Sequence, residues 1–227
     1  LLGPGDVLVD AANSYYGDSA RRAEKLAKRG IHFVDAGTSG GIWGCENGYS
    51  MSLGGSAEAV EIITPLVQTL APGVDRGWGH VGPSGAGHFT KMVHNGIEYG
   101  MMQAYAEGFA LMRSKEAFGL DVHQVAELWR EGSVIRSWLL DLAAQALRPD
   151  ASLEAIAPVV HDSGEGRWTV LEAIDQGVPV PVIAAALNAR FESRDEVGYA
   201  ARLVSSLRGQ FGGHEVPSAA ADDKPGQ

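Results

Sequence analysis

Over the first eighty residues the apolar positions fall in short runs closed by polar or glycine-rich turns. Residues 6–10 (DVLVD) and 31–35 (IHFVD) are apolar without alternation, as strands buried on both faces are. The pattern predicts further strands at 49–54 and near 78–81. A helix is predicted over 18–29, capped by Asp18 or Ser19 and ended by Gly30, and another over 57–70 capped by Ser56. Residues 36–41 read as a turn after the second strand. Strand–helix–strand is the unit of a parallel sheet, whose binding crevice lies at the C-terminal ends of its strands.

From Gly82 onward strand signals fade and helical periodicity takes over, predicting helices at 86–117, 122–131, 134–146, 152–161, 167–176 and 181–207. Gly119 and Asp121 read as a C-cap and the next N-cap, and Pro149, Pro158, Pro179 and Pro181 punctuate the series. The first of these helices carries an unusual polar row. Lys91, His94, Asn95, Glu98 and Tyr99 recur at i, i+3, i+4, i+7 and i+8, within an arc of about 140°. Met92, Val93, Gly96, Ile97, Gly100, Met101 and Ala104 occupy the other side, predicted to be packed. The row Gly96, Gly100, Ala104 and Gly108 would let another backbone come close, an offset to glycine's helix cost of roughly 0.5–1 kcal/mol. An acid/base set that replaces the Glu/Lys pairs of a solvated face points to a ligand.

The predicted fold is therefore an α/β, partial Rossmann-like parallel sheet followed by an all-α domain. Residues 1–83 are the C-terminal part of a dinucleotide-binding domain, 84–214 a helical substrate and dimerisation domain, and 215–227 a polar tail predicted to be disordered. No G-x-G-x-x-G turn follows a strand, so the sequence reads as lacking an N-terminal mononucleotide-binding half and as a poor cofactor binder by itself.

Composition narrows the function. A net charge of −10 argues against general affinity for nucleic acid or anionic membranes. No apolar run reaches the roughly 18–20 residues of a membrane span. One cysteine, Cys45, cannot close an internal disulfide, which points to the cytoplasm. An anionic ligand stays possible where the few cations converge.

Three polar sites head for one crevice: Asn13–Ser14, the run Thr38-Ser39-Gly40-Gly41, and the Lys91 row. Alone, Ser-Gly-Gly is an ordinary tight turn and Asn13 a turn cap. Together they resemble the β-hydroxyacid dehydrogenases, and among them the decarboxylating 6-phosphogluconate dehydrogenases. DAGTSGG at 35–41 resembles the substrate-binding D-x-x-x-S-G-G signature, and GPSGAGHFTKMVHN at 82–95 the catalytic G-x-x-G-x-G-x-x-x-K-x-x-x-N signature. The continuation to Glu98 and Tyr99 is similar to the phosphogluconate enzymes in particular.

The resemblance implies oxidation and decarboxylation of 6-phosphogluconate to ribulose 5-phosphate in the pentose phosphate pathway, with NADP or NAD as hydride acceptor and no metal. It implies Lys91 as general base and Glu98 as the acid that protonates C1. Asn13, Ser39, Gly40, Gly41, His94 and Asn95 would hold the sugar acid, with Asn13 also beside the cofactor. Tyr99 and Arg190 would contact the phosphate. Arg208 and His214, in RGQFGGH, would enter the partner's site of a homodimer. Ser163 and Glu165 depart from the Lys and Thr of long-chain members, which weakens the phosphate site or moves its cation to Arg167. Ala11-Ala12 stands where Gly-Gly is usual. Two alternatives remain: another β-hydroxyacid dehydrogenase, of 3-hydroxyisobutyrate or tartronate semialdehyde type, and a non-catalytic binding and dimerisation fragment.

Overall fold

The computed structural model describes residues 2–218; of the tail predicted to be disordered, residues 219–227 lie outside the described residues. Strand β1 (Val7–Asp10) leads through α1 (Tyr16–Ala27) to β2 (His32–Ser39). A short helical segment, α2 (Gly44–Asn47), precedes β3 (Ser50–Gly54), and α3 (Ala57–Leu70) precedes β4 (Trp78–Gly82). The helical part is α4 (Ala86–Ser114), α5 (Val122–Arg130), α6 (Trp138–Leu147), α7 (Glu165–Gln176), α8 (Pro181–Glu192) and α9 (Tyr199–Gly212).

The sheet has the order β1-β2-β3-β4 and is mostly parallel, with one departure from expectation: β2 and β3 pair antiparallel. The reason lies in the connection. Residues 40–49 are too few for the crossover of a dozen or more that a parallel return requires. The segment predicted as a turn from 36 instead continues β2 to Ser39, because Ala36–Ser39 pair with Ser50–Leu53.

Each strand residue chooses a face by alternation. Val34, Ala36, Met51 and Leu53 pack on Ala59, Val60, Ile63 and Val67 of α3, whose first turn is closed by Ser56 Oγ accepting from Ala59 N–H at 3.2 Å. The other face receives the start of α4. There Asp35, 0% exposed, accepts from Gly85 N–H at 2.6 Å and His88 N–H at 2.8 Å. A strand carboxylate thus caps a distant helix, satisfying donors the helix leaves free and meeting its positive end. Three glycines permit the approach. A Cβ on Gly37 would stand 2.5 Å from Lys91 Cβ, one on Gly87 2.5 Å from Ser52 O, and one on Gly54 2.6 Å from Asp35 Oδ1.

Helix α4, about 43 Å long at 1.5 Å per residue, is then shared along its length. Its middle packs Tyr99 against Ala186 and Leu187 of α8, with Val170 of α7 alongside. Its distal half packs Phe109 against Val122 and Ala126 of α5 and Leu140, Ala144 and Leu147 of α6. The small-residue row works at two positions. A Cβ on Gly96 would lie 2.8 Å from Thr169 Cγ2 and one on Gly100 3.3 Å from Val182, whereas Gly108 faces open space. The face predicted to be packed is only partly so: Met92 is buried, but Ile97 and Met101 are exposed.

Other boundaries moved for local reasons. Helix α1 begins at Tyr16, so Asp18 lies in its first turn and Ser19 is buried, neither acting as N-cap. The helix predicted at 152–161 is a run of turns, because Asp150 takes both the N–H and the hydroxyl of Ser152, and Pro158 bars helix before it. The single helix predicted over 181–207 is two. Gly198 at φ +59° and Asp195, which accepts from Gly198 N–H, break it between α8 and α9. Helix α6 starts at Trp138, four residues late, where Ser137 Oγ accepts from Leu140 N–H at 3.1 Å.

A further bond straps the sheet portion to the helical one, far along the chain. Tyr16 of α1 donates its hydroxyl to Glu172 of α7, with the Tyr16 ring edge-on to Phe89 and Tyr15 against Trp168. The carboxylate beside it pushes the Tyr16 hydroxyl well above its ordinary 10.0, and the tyrosine hydroxyl holds Glu172 below 4.5. The raised group stabilises fully below pH 10 and loses its contribution as pH rises further; the depressed one stabilises above pH 4.5 and loses its contribution as pH falls. The melting-temperature gap between wild type and Tyr16→Phe is therefore expected to be widest near neutral pH and to close at both extremes. A gap constant from pH 3 to pH 11 would reject the strap.

Candidate active site

The C-terminal end of β1, the turn after β2, the first half of α4 and the start of α6 enclose a cavity of about 1210 Å³. Asn13, Ser39, Gly40, Gly41, Lys91, His94, Asn95 and Glu98 all line it. Each comes from a locally explicable element. The turn carrying Asn13 is wound around Asp10, which accepts from Ala12 N–H at 3.1 Å and Ser14 Oγ at 3.0 Å and pairs with Arg22. Gly41, at φ +52°, supplies the left-handed turn after Ser39.

Lys91 is 7% exposed and Asn95 8%, while His94 and Glu98 reach further into the cavity. His94 is the hub. Its Nδ1 lies 3.1 Å from Asn95 Oδ1, 3.3 Å from Lys91 Nζ and 3.8 Å from Glu98 Oε2, and its Nε2 lies 3.5 Å from Ser39 Oγ. Because Asn95 Oδ1 only accepts, the imidazole proton is assigned to Nδ1, and Nε2 accepts from Ser39. That N–H then faces a lysine amine able to accept only when uncharged.

The electrostatics agree. Burial pushes the Lys91 amine below its ordinary 10.5, and the carboxylates of Glu98 and Glu165 pull it partly back. A lysine poised to take and return a proton, with a carboxyl group and an amide alongside, suits proton abstraction from a hydroxyl and protonation of a carbon.

The structure does not bring Tyr99 and Arg190 to this cavity. Tyr99, 5% exposed, lies under the Arg190 guanidinium, 3.5 Å from its ring centroid, and its hydroxyl accepts from Ser163 N–H at 3.3 Å. Arg190 also donates to His161 O at 2.8 Å. Arg208 and His214 sit on and just beyond the largely exposed α9, outside the cavity lining. Arg167, the proposed substitute cation, grips Asp162 at 2.9 Å, as does Arg194.

Several lining residues escaped the sequence reading. Phe89, Thr90, Val93, Ile97 and Met101 join the α4 wall, and Ser137, Trp138, Leu139 and Leu142 of α6 close the far side. The N-cap serine followed by tryptophan at 137–138 was the available signal. Asp35, placed in the substrate signature, holds α4 instead of facing the cavity.

Residues 1–79 match the model of the NAD binding domain of 6-phosphogluconate dehydrogenase, and residues 87–202 that of the 6-phosphogluconate dehydrogenase C-terminal domain. A Bacillus subtilis protein provisionally named a 6-phosphogluconate dehydrogenase is 45% identical over 214 residues, 94% of this chain and 71% of the relative. The NAD(+)-dependent, decarboxylating 6-phosphogluconate dehydrogenase of Haloferax volcanii is 46% identical over 212 residues, 93% of this chain and 69% of the relative. Among solved structures, Plasmodium falciparum 6-phosphogluconate dehydrogenase superposes with a TM-score of 0.77 at 28% identity, covering 98% of this chain and 48% of that one. A Salmonella typhimurium 3-hydroxyisobutyrate dehydrogenase shares the fold, with a TM-score of 0.67 at 18% identity over 82% of this chain and 63% of that one.

Proposed function

Because the chain belongs to the 6-phosphogluconate dehydrogenase family, oxidoreductases that use NAD or NADP, we propose that it serves the oxidative decarboxylation of 6-phospho-D-gluconate to ribulose 5-phosphate and CO₂. The observation that carries this reading is the buried Lys91 amine, lowered by desolvation, on the wall of a cavity it shares with Asn13, Ser39, His94, Asn95 and Glu98.

NAD or NADP, when bound, supplies the hydride acceptor. Ala11, Ala12 and Asn13 fit its nicotinamide end: two methyl side chains leave the main chain open to a flat ring, and an amide stands ready for a polar partner. The chain's own groups then divide the work. Neutral Lys91 takes the C3 hydroxyl proton as C3 is oxidised. The 3-keto acid releases CO₂ because its carbonyl accepts the electron pair, and the Lys91 ammonium stabilises the enolate oxygen. Glu98 delivers a proton to the carbon that has lost CO₂, which becomes C1 of ribulose 5-phosphate. Ser39, Gly40, Gly41, His94 and Asn95 hold the sugar acid.

We further propose a division at 83/84 between cofactor and substrate portions, and a homodimer in which Arg208 and His214 complete the partner's phosphate site with Tyr99 and Arg190. The exposed apolar side chains of α9, Leu203, Val204 and Leu207, support an unfilled interface. Mixing Lys91→Ala protein with Arg208→Ala protein and re-forming dimers is expected to restore activity, since one site per mixed dimer would be whole. Failure to complement would place Arg208 with its own chain's site.

A second reading, a dehydrogenase of non-phosphorylated β-hydroxy acids, is favoured by the position of Arg190 outside the cavity. A substrate panel decides between them. CO₂ release confined to 6-phosphogluconate supports the first; turnover of 3-hydroxyisobutyrate or tartronate semialdehyde-type acids overturns it.

A further inference from the structure

Glu165 is a buried carboxylate that the proposed chemistry leaves unused. It opens α7, is 5% exposed, and its Oε2 accepts from Ser163 Oγ at 2.5 Å. Its place against α4 is set by one hydroxyl. Thr169 Oγ1 lies 2.9 Å from Met92 O and 2.8 Å from Glu165 O, sharing its single proton between the two carbonyls. The first turn of α7 is therefore pinned next to the α4 peptide that adjoins Lys91. Gly96 makes this possible, because any Cβ there would meet the Thr169 side chain.

The charged and titratable groups around Lys91 now come from two helices. His94 and Glu98 stand on α4 and line the cavity, and Glu165 comes from α7 and does not line it; Ser39, from β2, carries no charge. The two carboxylates differ in what they can do. Glu98, with 38% of its side chain exposed, is in reach of substrate. Glu165 is packed away from the cavity, so it can act only through its charge. A lone desolvated lysine would resist becoming an ammonium, and Lys91 has to become one in each turnover.

We propose that Glu165 is a positioning residue, a buried counter-charge behind α4 that steadies the Lys91 ammonium formed during turnover, with Ser163 fixing its carboxylate. This rests on the reading of Lys91 as the base. Removing the charge raises the cost of protonating Lys91, so the amine should lose its proton at lower pH.

The test is competitive labelling of the full chain with acetic anhydride across a pH series, Lys91 being followed by peptide mass spectrometry. Glu165→Gln is expected to move the labelling midpoint of Lys91 down by about half a pH unit, roughly a threefold rise in its uncharged fraction at pH values well below both midpoints. Glu165→Asp, which keeps the charge, should stay near wild type. Should Glu165→Gln fail to fold by circular dichroism, Glu165→Thr removes the same charge with a smaller side chain and must show the same shift. An unmoved midpoint in the uncharged variant, or an equal shift in Glu165→Asp, overturns the proposal. Lys91→Ala separates the two layers. If it turns over normally, the base assignment falls; if it is inert while Glu165→Gln leaves the midpoint in place, only the counter-charge falls.

Discussion

Lys91→Ala is expected to lower turnover by about 10²–10⁴-fold, the range a positioned general base contributes, while 6-phosphogluconate still binds within a few-fold. Binding should survive because the proposed contacts to the sugar acid include other lining residues, Asn13, Ser39 and Asn95 among them. Turnover should not, because no other amine lines the cavity among the described residues. The pH profile carries a second mark. Burial pushes the Lys91 amine below 10.5, so the acid limb of kcat/KM should rise through a group titrating below an ordinary lysine and vanish in the variant. Lys91→Met should also raise the melting temperature, since it ends the desolvation of a buried amine at nearly unchanged volume. Steady-state kinetics, calorimetric titration of 6-phosphogluconate and thermal melting of Lys91→Met would check these outcomes. Near-normal turnover in Lys91→Ala would refute the role.

Gly87→Ala is expected to do comparable damage through the fold. Its Cβ would overlap Asp35 O and stand 2.5 Å from Ser52 O and 2.8 Å from Gly54 N, all main-chain atoms that cannot rotate aside. Overpacking costs about 1–3 kcal/mol and sometimes more, a large share of a domain stability of roughly 5–15 kcal/mol. The urea midpoint should fall sharply. Gly37→Ala presses on Gly87 O and also on Lys91 Cβ, so beyond a similar loss of stability it should lower kcat by displacing the lysine. Gly108→Ala, into open space on the same helix, should stabilise by about 0.5–1 kcal/mol. An unchanged urea midpoint for Gly87→Ala would mean that the helix start does not seat on the sheet as described.

What the sequence disclosed was what local chemistry decides. Ser56 and Asp121 cap their helices as their positions predict, and the spacing of Lys91, His94, Asn95 and Glu98 sets them toward one cavity. What it concealed depends on partners far along the chain. The antiparallel pairing of β2 with β3 follows from the length of a connection, and the breaks at 152–161 and 193–198 from side chains that outbid the helix for backbone groups. The α6 wall could not be assigned to the site before the chain was folded, because its only signature is a serine cap. Asp35 was read as part of a ligand signature because its true partners, the amides of residues 85 and 88, lie fifty positions away.

That carboxylate has a consequence for how the molecule comes apart. Helix α4 takes part in two of the three packed clusters, and its first turn is bonded to the middle of β2. Releasing the sheet strips the helix of its anchor, and fraying the helix leaves a desolvated negative charge inside the sheet without donors. Neither portion can therefore melt first at little cost. The boundary proposed near residue 83 is not a seam in cooperativity, and the protein that reads as two domains should denature as one.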